Sequence, residues 1–195
     1  MIKDNETIQL EFEQRLYPVV LDLFSIKDFY SVTFKDLSKH SGLSILTIDK
    51  YFSSKEDLLF KVLDKKISEI ISLIKIHTHG IDNTEELFRR SFWLTMEYCD
   101  RNPGIAIIFF VKIPQYIWMQ SKTYERKEIY DLLSEMAKHG REHNQIDPKL
   151  KDYQIMNLFL MHFSFSVQTW YYKGRKWKLV DSIKDFFPLF WKAVS

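Results

Sequence analysis

The sequence predicts an all-α protein of about nine helices. Three observations carry that expectation. Apolar residues recur at i, i+3, i+4 and i+7, while strand-type alternation is scarce. Only five Gly and five Pro interrupt the 195 residues. Apolar residues make up 46% of the chain, which excludes disorder and supplies a core. The length suits one domain or two small ones. The single cysteine, Cys99, excludes an intrachain disulfide and fits a reducing, cytoplasmic setting.

The first helix is expected over residues 2–26, with Ile8, Phe12, Val19, Leu23 and Ile26 on one face and Pro18 inside it. Thr33 is placed to cap the second helix, with Asp36 three residues on in the capping-box position. Phe34, Leu37, Ser38 and Ser41 share its face, and Gly42 supplies the left-handed residue that ends it. Ser44 caps the third helix. Either Ser53 with Glu56 or Ser54 with Asp57 caps the fourth, which runs to about residue 76. HTHGIDNT is a polar break before a fifth helix over 85–101. Asn102-Pro103-Gly104 stops that helix. A short apolar segment follows over 104–112, Pro114 interrupts it, and a long helix reaches about residue 143. After HNQIDPK, helices over 152–173 and 180–194 close the chain.

The third helix decides the function. With Ile48 turned to the core, Phe52 lies beside it and Ile45 and Tyr51 flank it. Leu46 and Lys50 then point directly away, with Thr47 and Asp49 at the sides. Ser38 and Ser41 are small enough for the second and third helices to approach closely. This is helix-turn-helix geometry, for which the DNA major groove is the expected surface, the plainer reading being a tight three-helix corner of a core. Lys50 can reach a phosphate or a guanine edge, and Thr47 a phosphate or a thymine methyl. Leu46 makes apolar contact only. Thr33, Ser44 and Lys55 sit at helix N-termini, where backbone N–H groups favour phosphate. Tyr51 can donate to a phosphate, and Ile45 borders the same face. Bulk charge gives no such signal. The net charge is +2, and residues 1–55 hold seven basic and eight acidic side chains.

Residues 16–63 resemble the DNA-binding region of TetR-type transcriptional regulators. The resemblance rests on an ordered set: Leu23-Phe24, Thr33, Asp36-Leu37, Ser41-Gly42-Leu43-Ser44, Thr47-Ile48, Tyr51-Phe52 and Ser54-Lys55-Glu56-Asp57-Leu58. It implies a DNA-binding domain over 1–53 and a helical ligand-binding and dimerisation domain over 54–195. It implies a homodimer on a palindromic double-stranded DNA operator, released by a small-molecule effector, with Thr33, Ser44, Thr47, Tyr51 and Lys55 at DNA-contacting positions. The family often has Tyr where this sequence has Asp49, and Gly where it has Leu46.

In the C-terminal part, Phe159, Phe163 and Trp170 in one helix and Phe186, Phe187, Phe190 and Trp191 in the next fit a pair of helices that dimerise. Sixteen Phe, ten Tyr and five Trp are many for this length. Phe88, Phe92, Trp93, Met96, Phe110, Tyr116, Tyr130 and His162 are the expected lining of a pocket for an apolar or aromatic effector. His139-Gly-Arg-Glu142-His143 matches the H-x-x-E-H zinc pattern, but Gly140 and the polar residues after it read as a fraying helix end. No cofactor, metal or catalytic residue is expected. The uncharged stretch 153–172 is of membrane-spanning length, yet its Gln, Asn, His, Ser and Thr residues argue for burial in protein instead. The alternative reading is a helical adaptor protein whose DNA contacts have decayed.

Overall fold

The computed structural model describes residues 2–120 and 127–195, and all regular structure among them is helical. Ten α-helices occur: α1 (Ile2–Ile26), α2 (Phe34–Ser41), α3 (Ile45–Tyr51), α4 (Lys55–Thr78), α5 (Thr84–Arg101), α6 (Pro103–Ile107), α7 (Gln115–Gln120), α8 (Lys127–Glu142), α9 (Asp152–Tyr172) and α10 (Ile183–Val194). The stretch expected as one helix up to residue 143 is described as α7 and α8, and residues 121–126 lie outside the described set. Short 3-10 turns at Phe29–Ser31 and Leu179–Ser182 precede α2 and α10. The second of these starts the last segment where an α-helix is expected.

α1 continues through Pro18. Its buried stripe is Phe12, Leu16, Val20, Leu23 and Phe24, which shares Phe12 and Leu23 with the face read off the sequence and leaves Val19 half-buried at its edge. Ile26 is 77% exposed, because the chain leaves α1 there for the 3-10 turn. The side chain of Ile8 lies outside the described residues. Ser54, not Ser53, caps α4 by accepting from the Asp57 N–H (3.1 Å). The Ser53 N–H and hydroxyl donate to the Asp57 carboxylate instead (3.0 and 3.1 Å).

Buried side chains from Phe12 to Val194 form one connected core. α4 packs on α1, α5 and α8, so it joins the N-terminal corner to the rest. Behind it, Phe92 of α5 is the centre of an aromatic cluster. Its ring lies 4.2 Å from Phe159, 5.0 Å from Phe163 and 5.0 Å from Phe186 and Phe190. Asp100 ties α5 to the start of the last segment, accepting from the N–H groups of Leu179 (2.7 Å) and Val180 (3.1 Å). Beyond α6 the helix widens into a π-turn over Ile108–Lys112, closed by the Ile113 N–H donating to the Ile108 carbonyl (3.2 Å). Among the described residues no helix is long and apolar enough to cross a membrane.

Candidate nucleic-acid interface and ligand cavity

Local hydrogen bonds build the corner between α2 and α3. Asp36 accepts from the Thr33 N–H (3.0 Å) and hydroxyl (2.6 Å), and its own N–H donates back to the Thr33 oxygen. With Lys27 at 2.9 Å, these donors hold the Asp36 carboxyl well below the usual carboxylate range, the Thr33 hydroxyl being the largest influence. Gly42 takes φ +69° and donates to the Ser38 carbonyl (3.0 Å). The Ser38 hydroxyl donates to the Leu43 carbonyl (2.7 Å). Ser44 accepts from the Thr47 N–H (3.0 Å). Arg15 of α1 adds a clamp that the sequence did not reveal, donating to the carbonyls of Ser41 (3.2 Å) and Gly42 (3.0 Å). Its 26-residue separation leaves no local pattern to find it by.

α3 is divided as its sequence predicts. Ile48 is fully buried and Phe52 nearly so, while Leu46 is 83% exposed and Asp49 and Lys50 are exposed beside it. Ile45 and Tyr51 are partly exposed at the flanks, and the Tyr51 ring packs against Phe12 at 4.8 Å. Thr47 is half-buried, with its hydroxyl 2.7 Å from the Ser44 hydroxyl. Thr33 and Ser44 are exposed. Lys55 is turned inward. Its ammonium donates to the carbonyls of Phe29 (2.9 Å) and Val32 (3.2 Å) and lies 4.9 Å from the Phe29 ring centroid. It closes the end of the first 3-10 turn, which sequence spacing did not indicate.

A narrow cavity of about 80 Å³ lies between α4, α5, α6, α8 and α9. Ile67, Ile70, Ile71 and Ile74 of α4 face Leu132 and Leu133 of α8, with Ile105, Ala106, Phe109, Phe110, Phe159, Leu160 and Phe163 completing the wall. Ser91 and Thr95 present little polarity, because their hydroxyls donate to the carbonyls of Leu87 and Ser91 (2.8 Å each). Burial, with the nearby Asp100 charge, pushes the Cys99 thiol up to about 12, so it stays protonated.

Of the eight residues expected to line a pocket, Phe110 alone lies on this cavity. Phe88 is buried against Phe190 and Trp191, and Phe92 and Met96 are buried in the aromatic core. Trp93, Tyr116 and Tyr130 are partly exposed elsewhere. His162 is half-buried, its Nδ1 on the Leu158 carbonyl (2.7 Å) and its ring against Phe186. Most of the expected aromatics fill the α5–α9–α10 contact, whereas the cavity opens where the aliphatic faces of α4 and α8 meet Phe109, Phe110, Phe159 and Phe163. The dimer candidates are displaced by the same packing. Phe159, Phe163, Trp170, Phe186, Phe187 and Phe190 are buried in their own chain, and Trp191 is half-buried against Phe88. They leave almost no area for a second chain. The apolar surface on α9 and α10 is instead Met161, Phe165, Tyr172 and Leu189, each more than 60% exposed.

The histidine pair is structural in setting. His139 Nδ1 lies 3.0 Å from the Thr84 hydroxyl, and His143 Nδ1 donates to the His139 carbonyl (2.8 Å). No group of three or more potential metal ligands occurs among the described residues.

Residues 21–62 match the family described as bacterial regulatory proteins, tetR family. No curated protein matches the sequence. Solved structures match over most of the chain. The fatty acid degradation regulator FadR from Bacillus halodurans superposes with a TM-score of 0.80 at 17% identity, over 91% of this chain and 93% of that one. The transcriptional regulator FadR from Bacillus subtilis, in complex with stearoyl-CoA, gives 0.79 at 15% identity, over 93% and 99%. The ketosteroid transcriptional regulator KstR2 of Mycobacterium tuberculosis gives 0.69 at 15% identity, over 93% and 97%. Residues 21–62 thus match the tetR family of bacterial regulatory proteins, and the fold over most of the chain is the one these solved regulators share.

Proposed function

We propose that this chain is a homodimeric repressor that binds a palindromic operator and leaves it when an apolar effector fills the cavity. Such a regulator is a DNA-binding protein of the cytoplasm, not an enzyme. Residues 1–53 are its DNA-binding unit and 54–195 its effector and dimer unit. The observation that carries this reading is the division of α3, with Ile48 buried and Leu46 and Lys50 outward on a corner held by Thr33, Gly42, Ser44 and Arg15. Leu46, Thr47 and Lys50 meet base edges and phosphates. Thr33, Ser44 and Tyr51 meet the flanking backbone, with Ile45 at the margin. Two such helices read adjacent major grooves when they stand about 34–36 Å apart.

Phe165, Met161 and Leu189 are the surface that a second copy covers. The effector is an aliphatic chain. The cavity wall is mainly Ile, Leu and Phe, and similar folds belong to regulators named for fatty acids and, in one structure, bound to stearoyl-CoA. The cavity is narrow, about 80 Å³, and in this reading an entering chain moves one of its walls. The π-turn is the mobile wall in this reading. Phe109 and Phe110 face the cavity, while Lys112 in the same turn lies 3.5 Å from Asp28 of the DNA-binding unit. α6 also packs on α1, where a β-carbon at Gly104 would stand 3.5 Å from Ser25 Cβ. Filling the cavity shifts this turn and with it the separation of the two α3 helices.

Titration by fluorescence anisotropy with duplex from upstream of the protein's own gene, at two salt concentrations, tests the reading. A steep salt slope and a preference over random duplex of about 10³-fold or more are expected. A shallow slope with no preference would favour the adaptor reading, which the exposed Asp49 and the inward Lys55 support.

A further inference from the structure

The cavity has a second compartment. An open groove of about 680 Å³ runs along α9 and shares Phe109, Phe110 and Leu160 with the apolar cavity. Its character is different. Asn157, Ser164 and Gln168 line it along one face of α9, with Met161 among them. Their spacing of four, three and four residues is that of a single helical stripe. No charged side chain lines it among the described residues. Gln168 joins the two compartments: its amide donates to the Phe110 carbonyl (3.0 Å) and the Ser164 hydroxyl (3.1 Å). Phe110 thus stands between the apolar cavity and a groove that is hydrogen-bonding along α9 and otherwise lined by apolar side chains such as Val111, Ile113, Pro114 and Trp118.

We infer that the effector is an amphiphile whose head is uncharged and hydrogen-bonding, such as an amide or ester, seated on Asn157, Ser164 and Gln168 with its chain behind Phe110. This rests on the reading of the cavity as the effector site. The groove supplies donors and acceptors in neutral form, which match a carbonyl or N–H. Among the described residues an ionised carboxylate finds no counter-charge there, and it gives up part of its hydration. Met161 also belongs to the surface assigned to the second copy, so dimerisation would roof the groove and increase that penalty.

The test is calorimetric titration of the full-length protein at pH 7.5 with decanoate, N-methyldecanamide and decylammonium, each below its micelle concentration. The amide should bind about tenfold or more tighter than either ion. Asn157→Leu, an exposed position outside the core, should reduce that preference to less than about threefold. Circular dichroism confirms that the variant is folded. Decanoate or decylammonium binding as tightly as the amide overturns the head-group assignment while leaving the apolar-effector reading intact. An unchanged preference in Asn157→Leu overturns the assignment to this groove. Failure of all three ligands to bind overturns the effector reading itself and this inference with it.

Discussion

A β-carbon at Gly140 would lie 2.7 Å from both Ile146 Cδ1 and Thr84 Cγ2. Here α8 meets the start of α5, and the contact is reinforced by Gln145, whose side chain accepts from the Thr84 N–H (2.8 Å) and whose N–H donates to the Gly140 carbonyl (2.8 Å). In an exposed helix Gly→Ala gains up to about 1 kcal/mol. At this site the sign should reverse: Gly140→Ala is expected to lower stability by about 1–3 kcal/mol in urea unfolding, the range for overpacking. A neutral result would mean that Ile146 yields freely. Asp36 makes a second case at this scale. Its native pKa is depressed, so its contribution is present above the ordinary carboxylate range and is lost as pH falls toward the lowered value. Asp36→Asn should therefore lower the melting temperature at pH 7 and flatten the acid limb of the stability curve. The two proteins should converge once the wild-type Asp36 carboxyl is protonated in both the folded and the unfolded state. A constant difference down to the lowest accessible pH would place the effect elsewhere than in the ionised carboxylate.

At the scale of elements, legibility followed the range of the interactions. Thr33, Gly42, Ser44 and Ser54 act on backbone groups within four residues, so their types at their spacing announced α2, α3 and α4. The Arg15 clamp and the inward turn of Lys55 span 26 residues and had no such signal. The cavity was hidden for a related reason. Ile67, Ile71 and Leu133 have the same spacing as core residues, and only the meeting of the surrounding helices decides which of them leave a gap. The aromatic residues drew attention because they are large, and their size is why they fill the core. α3 itself carries a prediction that composition alone would not make. Its exposed face has one cation, Lys50, beside one anion, Asp49. Lys50→Ala should weaken operator binding and reduce the salt slope by about one. Asp49→Asn should tighten binding to operator and random duplex alike, since it removes repulsion without adding base-specific contact. Equal effects of both changes on a protein-only readout, such as thermal melting, would show that they act through the fold.

At the scale of the whole molecule, two copies and two sites have to act together. Phe165 is 73% exposed on α9, outside the core of its own chain. Phe165→Glu should leave the helical spectrum unchanged, yield a monomer in sedimentation, and lower operator affinity because the two α3 helices no longer arrive together. A dimer of unaltered affinity would move the interface elsewhere. Coupling is the stricter demand, because it must be reciprocal: an effector that weakens operator binding by some factor is itself weakened by operator through the same factor. The Lys112–Asp28 contact is one strut of that coupling. Asp28 is almost fully exposed, so the pair is worth under about 1 kcal/mol and sets an upper bound of about fivefold on what its loss can change. Lys112→Ala should therefore retain effector binding and operator binding separately, and reduce the mutual factor by no more than about fivefold in both directions. The two factors are measured independently, by operator titration with saturating effector and by effector titration with saturating operator. Loss of effector binding alone would make Lys112 part of the cavity wall, and a larger drop than that bound would mean that the π-turn itself has rearranged.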